Sequence, residues 1–323
     1  MKKNDIITSS LTHSEQDRFI HVFGHRNPDS DSICSALVTA DWLNHRGIPA
    51  KPFRLGDLTP ETRYILNTAG VNAPDLLRED LTGKKVWLVD FTEVEQGPDS
   101  LVTSDIVGII DHHRLGTLIT KNPPDVWVRA VGCSATVLLH ILTIENPMPL
   151  TAAQATLLLG AILSDTVALC APTTTIQDRV AVDTLRKIID IDYNDFVDGL
   201  ITAKTDVTEQ SAEQLLNRDA KNYQLHDFSI LLSQIEVRDM ADISPLLASL
   251  QQELERTKQA TGKDAIVLMV TDIAQQNSIL YFSDNKIFGP RTVSLPGMTS
   301  RKKQILPWLT DNLCLRDSMV QER

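Results

Sequence analysis

Hydrophobic and polar positions in the first half of the chain alternate between strand-like and helix-like segments. The apolar run FIHVFG, residues 19–24, precedes residues 32–47, where apolar side chains recur at helical spacing. Residues 84–90 and 104–113 are rich in Val and Ile and end in charged residues, as buried parallel strands do. Further helix-like segments follow at residues 132–145, 151–166 and 176–190. This alternation predicts a doubly wound, mainly parallel α/β sheet, whose ligands bind beyond the carboxyl ends of the strands.

The alternation weakens after residue 190, and there we predict a linker at residues 191–205. The linker divides a first domain, residues 1–190, from a second domain, residues 206–323. Two strand candidates in the second domain, FSILLSQIEV and DAIVLMVTDI, flank a helical stretch. The second domain is therefore predicted to be a smaller α/β unit.

The composition of the chain argues against several classes of binding partner. Lys and Arg total 31 against 42 acidic residues, a net charge of −11, which would repel a nucleic-acid backbone. No stretch approaches the ~18 apolar residues of a membrane span, and the N-terminus lacks the apolar core of a signal peptide. Cys34, Cys133, Cys170 and Cys314 have no C-x-x-C spacing and are predicted to be reduced, buried thiols. We expect a cytoplasmic protein without nucleic-acid or membrane partners.

Polar side chains cluster where the predicted strands end, and one more follows an apolar helix. They are His25, Asp29, Asp31, Asp90, Asp111, His112, His113 and Asp165. Carboxylates that converge on one crevice repel each other, and a bound cation is the simplest compensation. Oxygen and imidazole ligands without sulfur suit Mn²⁺, Co²⁺, Fe²⁺ or Mg²⁺. The ligands are too many for one open site, so they favour a metal pair ~3.5–4 Å apart, the arrangement that hydrolyses phosphoesters and phosphoanhydrides.

Each signal alone has a structural explanation. Ser30 or Asp31 could cap the following helix, Asp90 could be a turn residue, and SRKKQ, residues 300–304, could begin a solvated helix. The metal-site interpretation depends on their occurrence together at one predicted edge of the sheet.

The motifs GHRNPDSDSICSAL, LVDFTE, IDHHR, GCSATVL and LLGAILSDT, in that order, resemble the DHH phosphoesterase superfamily. LLNRDAKNY and MTSRKKQILP narrow the resemblance to its manganese-dependent, or family II, inorganic pyrophosphatases. It extends from about residue 19 through both domains. It implies a DHH catalytic domain followed by a DHHA2-like substrate-binding domain, with the active site between them. The implied reaction is hydrolysis of pyrophosphate to two orthophosphates by a metal-bridged hydroxide in a homodimeric enzyme.

The resemblance also implies residue roles. The first metal would be held by His25, Asp29 and Asp90, and the second by Asp31, Asp90, His112 and Asp165, with Asp90 bridging. Asp111 would orient these ligands. His113 would face the substrate and protonate the leaving phosphate, while Lys221, Arg301 and Lys302 would bind the phosphates from the second domain. The metals would be Mn²⁺ or Co²⁺, two per subunit, with Mg²⁺ bound to the substrate.

Some positions depart from the family pattern, and alternatives stay open. FTEVEQ, residues 91–96, stands where the family often has histidine and asparagine, and Cys170 where it often has lysine. An exopolyphosphatase or a small-nucleotide phosphoesterase of the same superfamily is the main alternative. The latter relatives carry a GGGH-type motif that this chain lacks, and the former typically replace the residue corresponding to His113. An inactive phosphate-binding module would have no need for His113 beside Lys221.

Overall fold

The computed structural model describes residues 19–320 except 209 and 285, and the side chains of residues 314–320 lie outside the description. The first sheet has six strands that all pair in parallel. They are β1 (Ile20–Phe23), β2 (Ala50–Arg54), β3 (Asp75–Leu76), β4 (Lys85–Val89), β5 (Asp105–Asp111) and β6 (Asp125–Val128). Their order, β3-β2-β1-β4-β5-β6, reverses direction between β1 and β4, where a crevice opens at the carboxyl ends. The predicted doubly wound parallel sheet is confirmed.

Helices cover this sheet. They are α1 (Ser30–His45), α2 (Pro60–Ala69), α3 (Ser134–His140), α4 (Ala152–Asp165), α5 (Ile176–Leu185) and α6 (Tyr193–Thr205). The predicted helices at 32–47 and 151–166 agree with α1 and α4 within two residues. A wider turn, Ile141–Glu145, continues α3. α5 is shorter than predicted.

α6 occupies the stretch where a linker is predicted. Its Phe196 and Leu200 are buried in the same cluster as Trp42 of α1 and Leu158 of α4. The helix thus belongs to the packing of the first sheet as well as leading to the second. The exact domain boundary stays a prediction.

The second sheet is mixed. Its strands are β7 (Ala220–Leu225), β8 (Phe228–Val237), β9 (Ala265–Asp272), β10 (Asn277–Phe282) and β11 (Thr292–Pro296), in the order β11-β10-β9-β8-β7. β8 and β9 pair in parallel, and the other neighbours are antiparallel. The helices are α7 (Ala212–Asn217), α8 (Met240–Ile243), α9 (Leu247–Thr261) and α10 (Leu306–Val320). Apolar clusters line both faces, so this smaller α/β unit has its own core.

Three of the four cysteines have described side chains. Cys34 and Cys133 are buried and unbonded, as predicted, but Cys170 is exposed, and its predicted burial was wrong. Cys170 lies in the turn after α4, outside any helix or strand, where no core reaches it. The side chain of Cys314 lies outside the description. Among the described residues, no helix combines the length and the apolar character needed to cross a membrane.

Candidate active site

The loop from β1 into α1 supplies the first group of candidate ligands. Asp29 caps α1, since its Oδ1 accepts the backbone N–H of Ser32 at 3.1 Å. Its Oδ2 lies 3.2 Å from Nε2 of His25. The cap is therefore Asp29, and neither Ser30 nor Asp31 has that role. One carboxylate thus orders the helix start with one oxygen and faces the crevice with the other.

Asp31 lies in the first turn of α1 and is fully buried. Its Oδ2 accepts the N–H of Ser134 at 2.6 Å, and its Oδ1 accepts the N–H of Ala135 at 3.1 Å and the hydroxyl of Ser35 at 2.6 Å. The start of α3 therefore fixes this carboxylate through backbone donors.

Asp90 follows β4 and has a left-handed backbone, with φ +66°. Its Oδ2 accepts the hydroxyl of Ser32 at 3.0 Å and lies 3.1 Å from Nε2 of His25. Its Oδ1 lies 3.4 Å from Nε2 of His112. Within the described part of the chain, this buried Oδ1 accepts no hydrogen bond. An acceptor of this kind needs a partner, and a cation would provide one.

The two adjacent histidines after β5 face different neighbours. Nδ1 of His112 lies 3.1 Å from the carbonyl of Val131, so its Nε2 is left for the carboxylates, with Asp165 at 3.9 Å. Nδ1 of His113 lies 2.8 Å from Oδ1 of Asp111. That buried oxygen also accepts the backbone N–H groups of both histidines, at 2.7 and 3.1 Å. Asp111 thus fixes the turn that separates the two rings.

Among residues 19–320, apart from the two that are not described, ligand-type atoms gather in three groups, in each of which they lie within 4.8 Å of one another. The groups are His25, Asp29 and Asp90; Asp90, His112 and His113; and Asp31, Cys133 and Asp165. Asp90 is shared by two of them. Cys133 was not predicted, although its position in GCS could have indicated it, because it directly precedes α3, whose first N–H groups bind the carboxylate of Asp31.

The carboxylates destabilise one another's charged forms. Burial, followed by the charge of Asp90, raises the pKa of Asp31 to about 6. Burial and the charges of Asp31, Asp29 and Asp90 raise the pKa of Asp165 well above its usual value. Burial also favours protonated Asp90, but His112 and His25 outweigh burial and hold its pKa well below the usual range. The buried carboxylates thus carry more negative charge than the site compensates, and Oδ1 of Asp90 accepts no hydrogen bond from the described residues. Both observations fit bound divalent cations.

Cations from the second domain close the crevice. Lys221 of β7 is buried, with Nζ 2.8 Å from Nε2 of His25 and 3.6 Å from Oδ2 of Asp29. Nζ of Lys302 lies 3.2 Å from Nδ1 of His113. Arg301 is buried and pairs with Asp219 at 2.9 Å. Lys221, for which only a role in phosphate binding was predicted, therefore also contacts two of the candidate metal ligands.

The predicted site residues all come together. The ones that line the cleft between the domains are Asp29, Asp90, His112, His113, Asp165, Lys221, Arg301 and Lys302. His25, Asp31 and Asp111 are fully buried behind them.

Two further lysines line the cleft and were not predicted. Nζ of Lys204, in α6, lies 2.7 Å from Oε2 of Glu236 and 3.3 Å from the hydroxyl of Ser164, next to Asp165. Lys303 donates to the carbonyl of Val131 at 2.8 Å. Lys204 lies in the segment predicted to be a linker, where no site residue was expected. Lys303 directly follows two predicted site residues in SRKKQ, and this position could have indicated it.

Family models match both halves of the chain. The model described as "DHH family, N-terminal domain" matches residues 19–162, and that described as "DHHA2 domain" matches residues 198–312. Together they span both sheets and the cleft residues discussed above, except Ser164 and Asp165, which lie between the two matched ranges.

Relatives named "Probable manganese-dependent inorganic pyrophosphatase" match nearly the full length. The protein of Staphylococcus carnosus (strain TM300) is 34% identical over 301 residues, which is 90% of this chain and 97% of the relative. That of Staphylococcus aureus (strain JH9) is 34% identical over 304 residues, which is 91% of this chain and 98% of the relative.

Solved structures agree in fold. A Methanococcus jannaschii protein, described as a "putative family II inorganic pyrophosphatase", matches with a TM-score of 0.84 and 34% identity. The match covers 91% of this chain and 99% of that protein. An exopolyphosphatase-related protein from Bacteroides fragilis matches with a TM-score of 0.50 and 11% identity, a likeness of fold alone.

Proposed function

The chain belongs to the family of manganese-dependent inorganic pyrophosphatases, and from this membership we propose that it hydrolyses inorganic pyrophosphate to two orthophosphates. The observation that carries the proposal is the position of Asp90. Its carboxylate is shared by two groups of ligand-type atoms, and the ammonium groups of Lys221 and Lys302 lie within the same cleft. A site that joins excess negative charge to facing cations suits metal ions and a polyanionic substrate together.

The first ligand set that we propose is one of these groups, and the second combines members of the other two without His113 and Cys133. One Mn²⁺ or Co²⁺ ion would be held by His25, Asp29 and Asp90, and a second by Asp31, Asp90, His112 and Asp165, with Asp90 common to both. Asp111 would keep the two histidines apart through the backbone N–H bonds that it accepts. Bound metals supply the Lewis acidity that activates the attacking water, and Mg²⁺ would accompany the substrate.

The remaining chemistry falls to the chain. Both terminal nitrogens of Arg301 donate to Asp219, so its remaining N–H groups would bind phosphate, while Lys221 and Lys302 act as point charges. Burial, followed by the charges of His112 and Lys302, holds the pKa of His113 well below its usual value, so the free enzyme carries a neutral ring. An approaching polyanion favours the protonated ring, and with Nδ1 directed to Asp111 the other nitrogen can give its proton to the leaving phosphate.

The proposal is tested by measuring phosphate release from pyrophosphate, tripolyphosphate and a 3′,5′-bisphosphonucleoside, each with Mn²⁺, Co²⁺ and Mg²⁺. We expect pyrophosphate to be the preferred substrate, with stimulation by Mn²⁺ or Co²⁺. Preference for tripolyphosphate would instead support an exopolyphosphatase, and preference for the nucleotide a small-nucleotide phosphoesterase. No release with any metal would support a binding module.

We also propose that the enzyme is a cytoplasmic homodimer. β6 is the last strand of the first sheet, and Val126 on it is 47% exposed. Beside it lies an apolar groove lined in part by the exposed side chains of Ile144, Ile176 and Val180. An edge strand next to exposed apolar side chains favours pairing with a second copy. Val126→Arg should then yield a monomer by sedimentation, and an unchanged mass would contradict this face.

A further inference from the structure

One short loop orients two of the candidate metal ligands. It is the segment 131–135, which follows β6 and ends with the first two residues of α3. Its first carbonyl, on Val131, lies 3.1 Å from Nδ1 of His112. Its last two N–H groups, on Ser134 and Ala135, bind the carboxylate of Asp31. A shift of this loop would therefore move an imidazole and a carboxylate of the same proposed metal together.

The second domain contacts this loop through Lys303. The ammonium of Lys303 donates to the carbonyl of Val131 at 2.8 Å. The backbone N–H of Lys303 is itself bound by the hydroxyl of Ser300, at 3.3 Å, which fixes the turn that carries it. The same carbonyl thus receives a donor from each domain, one for each of its two lone pairs.

We propose that Lys303 is a positioning residue for the metal site. By holding the carbonyl of Val131 from the second domain, it sets the direction in which His112 presents Nε2. The orientation of a first-domain ligand then depends on contact with the second domain. This rests on the proposed function only in assigning His112 and Asp31 to a metal, which direct metal binding can test without substrate.

Loss of the Lys303 charge and loss of its positioning contact should change metal affinity in opposite directions. Lys303 is a cation near a cation site, so removing its charge alone would tighten metal binding through lost repulsion. Loss of position acts in the opposite direction, because partners that orient metal ligands typically contribute about 10- to 100-fold in affinity. A weakening on removal of a positive charge therefore identifies positioning.

Lys302 is the matched control. It carries the same charge one residue away, but its Nζ lies 3.2 Å from His113 instead of binding the loop. Lys303→Met, Lys303→Arg and Lys302→Met are compared with the unaltered protein. Free Mn²⁺ is followed by electron paramagnetic resonance during titration of metal-free protein, and thermal unfolding of each metal-free variant is recorded.

We expect Lys303→Met to weaken Mn²⁺ binding at one of two sites by about tenfold, the lower end of that range. Lys303→Arg, which keeps a donor and the charge, should retain most of the affinity, and Lys302→Met should lose none. Binding by Lys303→Met that is as tight as normal or tighter overturns the proposal. The proposal is also overturned if Lys303→Arg weakens Mn²⁺ binding as much as Lys303→Met does, whatever the unfolding temperatures of the two variants. Absence of pyrophosphatase activity would refute the proposed function and leave this comparison intact.

Discussion

Asp31→Asn should become more stable relative to the unaltered protein as the pH rises to neutral in the absence of metal, and it should gain less stability from added Mn²⁺. Asp31 is fully buried and accepts two backbone N–H groups and the hydroxyl of Ser35. Burial is the main cause that raises its pKa to about 6, and the negative charge of Asp90 adds to it. An amide of the same shape removes the charge, but its NH2 group faces one of these N–H donors, so one hydrogen bond is lost at every pH, at a cost of about 1–3 kcal/mol.

The magnitude follows from linkage. A carboxyl whose pKa is higher in the folded than in the unfolded protein favours folding when protonated, and this advantage is lost as the pH rises through the folded pKa. With 3.8 as the unfolded reference and a folded pKa of about 6, the loss is about 3 kcal/mol, at ~1.4 kcal/mol per pH unit. The window therefore runs from about pH 4 to about pH 7.

The assay is urea unfolding of chelator-treated protein across this window, with and without MnCl₂. Without metal, the unfolding free energy of Asp31→Asn minus that of the unaltered protein should rise by about 3 kcal/mol between pH 4 and pH 7. Added Mn²⁺ should stabilise the variant less than the unaltered protein, because the variant lacks the charge of one ligand oxygen. Asp57→Asn, with its exposed carboxylate, is the control and should show neither effect. Parallel pH curves for Asp31→Asn and the unaltered protein would refute the reasoning.

Three other substitutions separate the roles of the cleft residues. Asp90→Asn should weaken Mn²⁺ binding by about 100-fold or more, since breaking a buried charge pair costs about 3–5 kcal/mol; normal binding would remove Asp90 from the site. His113→Gln should keep Mn²⁺ binding and lower turnover by about 10²- to 10⁴-fold, whereas equal loss of metal would contradict the division between the adjacent histidines. Lys204→Met should lower the urea unfolding free energy by about 1–3 kcal/mol by leaving the partly buried Glu236 unpaired, and adding Glu236→Met should restore most of it. A single variant as stable as the double variant would show that the pair contributes nothing.

The sequence predicted the elements whose apolar pattern is strong. β8 begins and ends where the pattern does, and α1, α4 and the site-bearing strands β1, β4 and β5 agree closely. Their buried faces leave little choice of period. The family resemblance found in the motifs is confirmed by the relatives. It also predicted that Lys221 and the SRKKQ residues lie in the cleft at the ends of the strands.

Weakly patterned segments were missed. The edge strand β6 is short and half exposed, and α6 carries charges that blur its apolar face. Contacts between domains left no local signal at all. The approach of Lys221 to His25 joins residues 196 positions apart, and that of Lys303 to Val131 joins residues 172 apart. Such contacts depend on how two cores are placed, which no short window of sequence encodes.

The left-handed backbone at Asp90 restricts evolution at that position in two ways. The conformation tolerates Gly, Asn and Asp, whereas Glu, with the same charge, lacks the short side chain that makes this backbone acceptable. Of Gly, Asn and Asp, only Asp has the carboxylate that the two groups of ligand-type atoms share. Natural drift to Asn or Gly would therefore leave a folded protein with an intact cleft but no shared ligand. In a newly sequenced homologue, this single position should distinguish a catalyst from a descendant that only retains the shape.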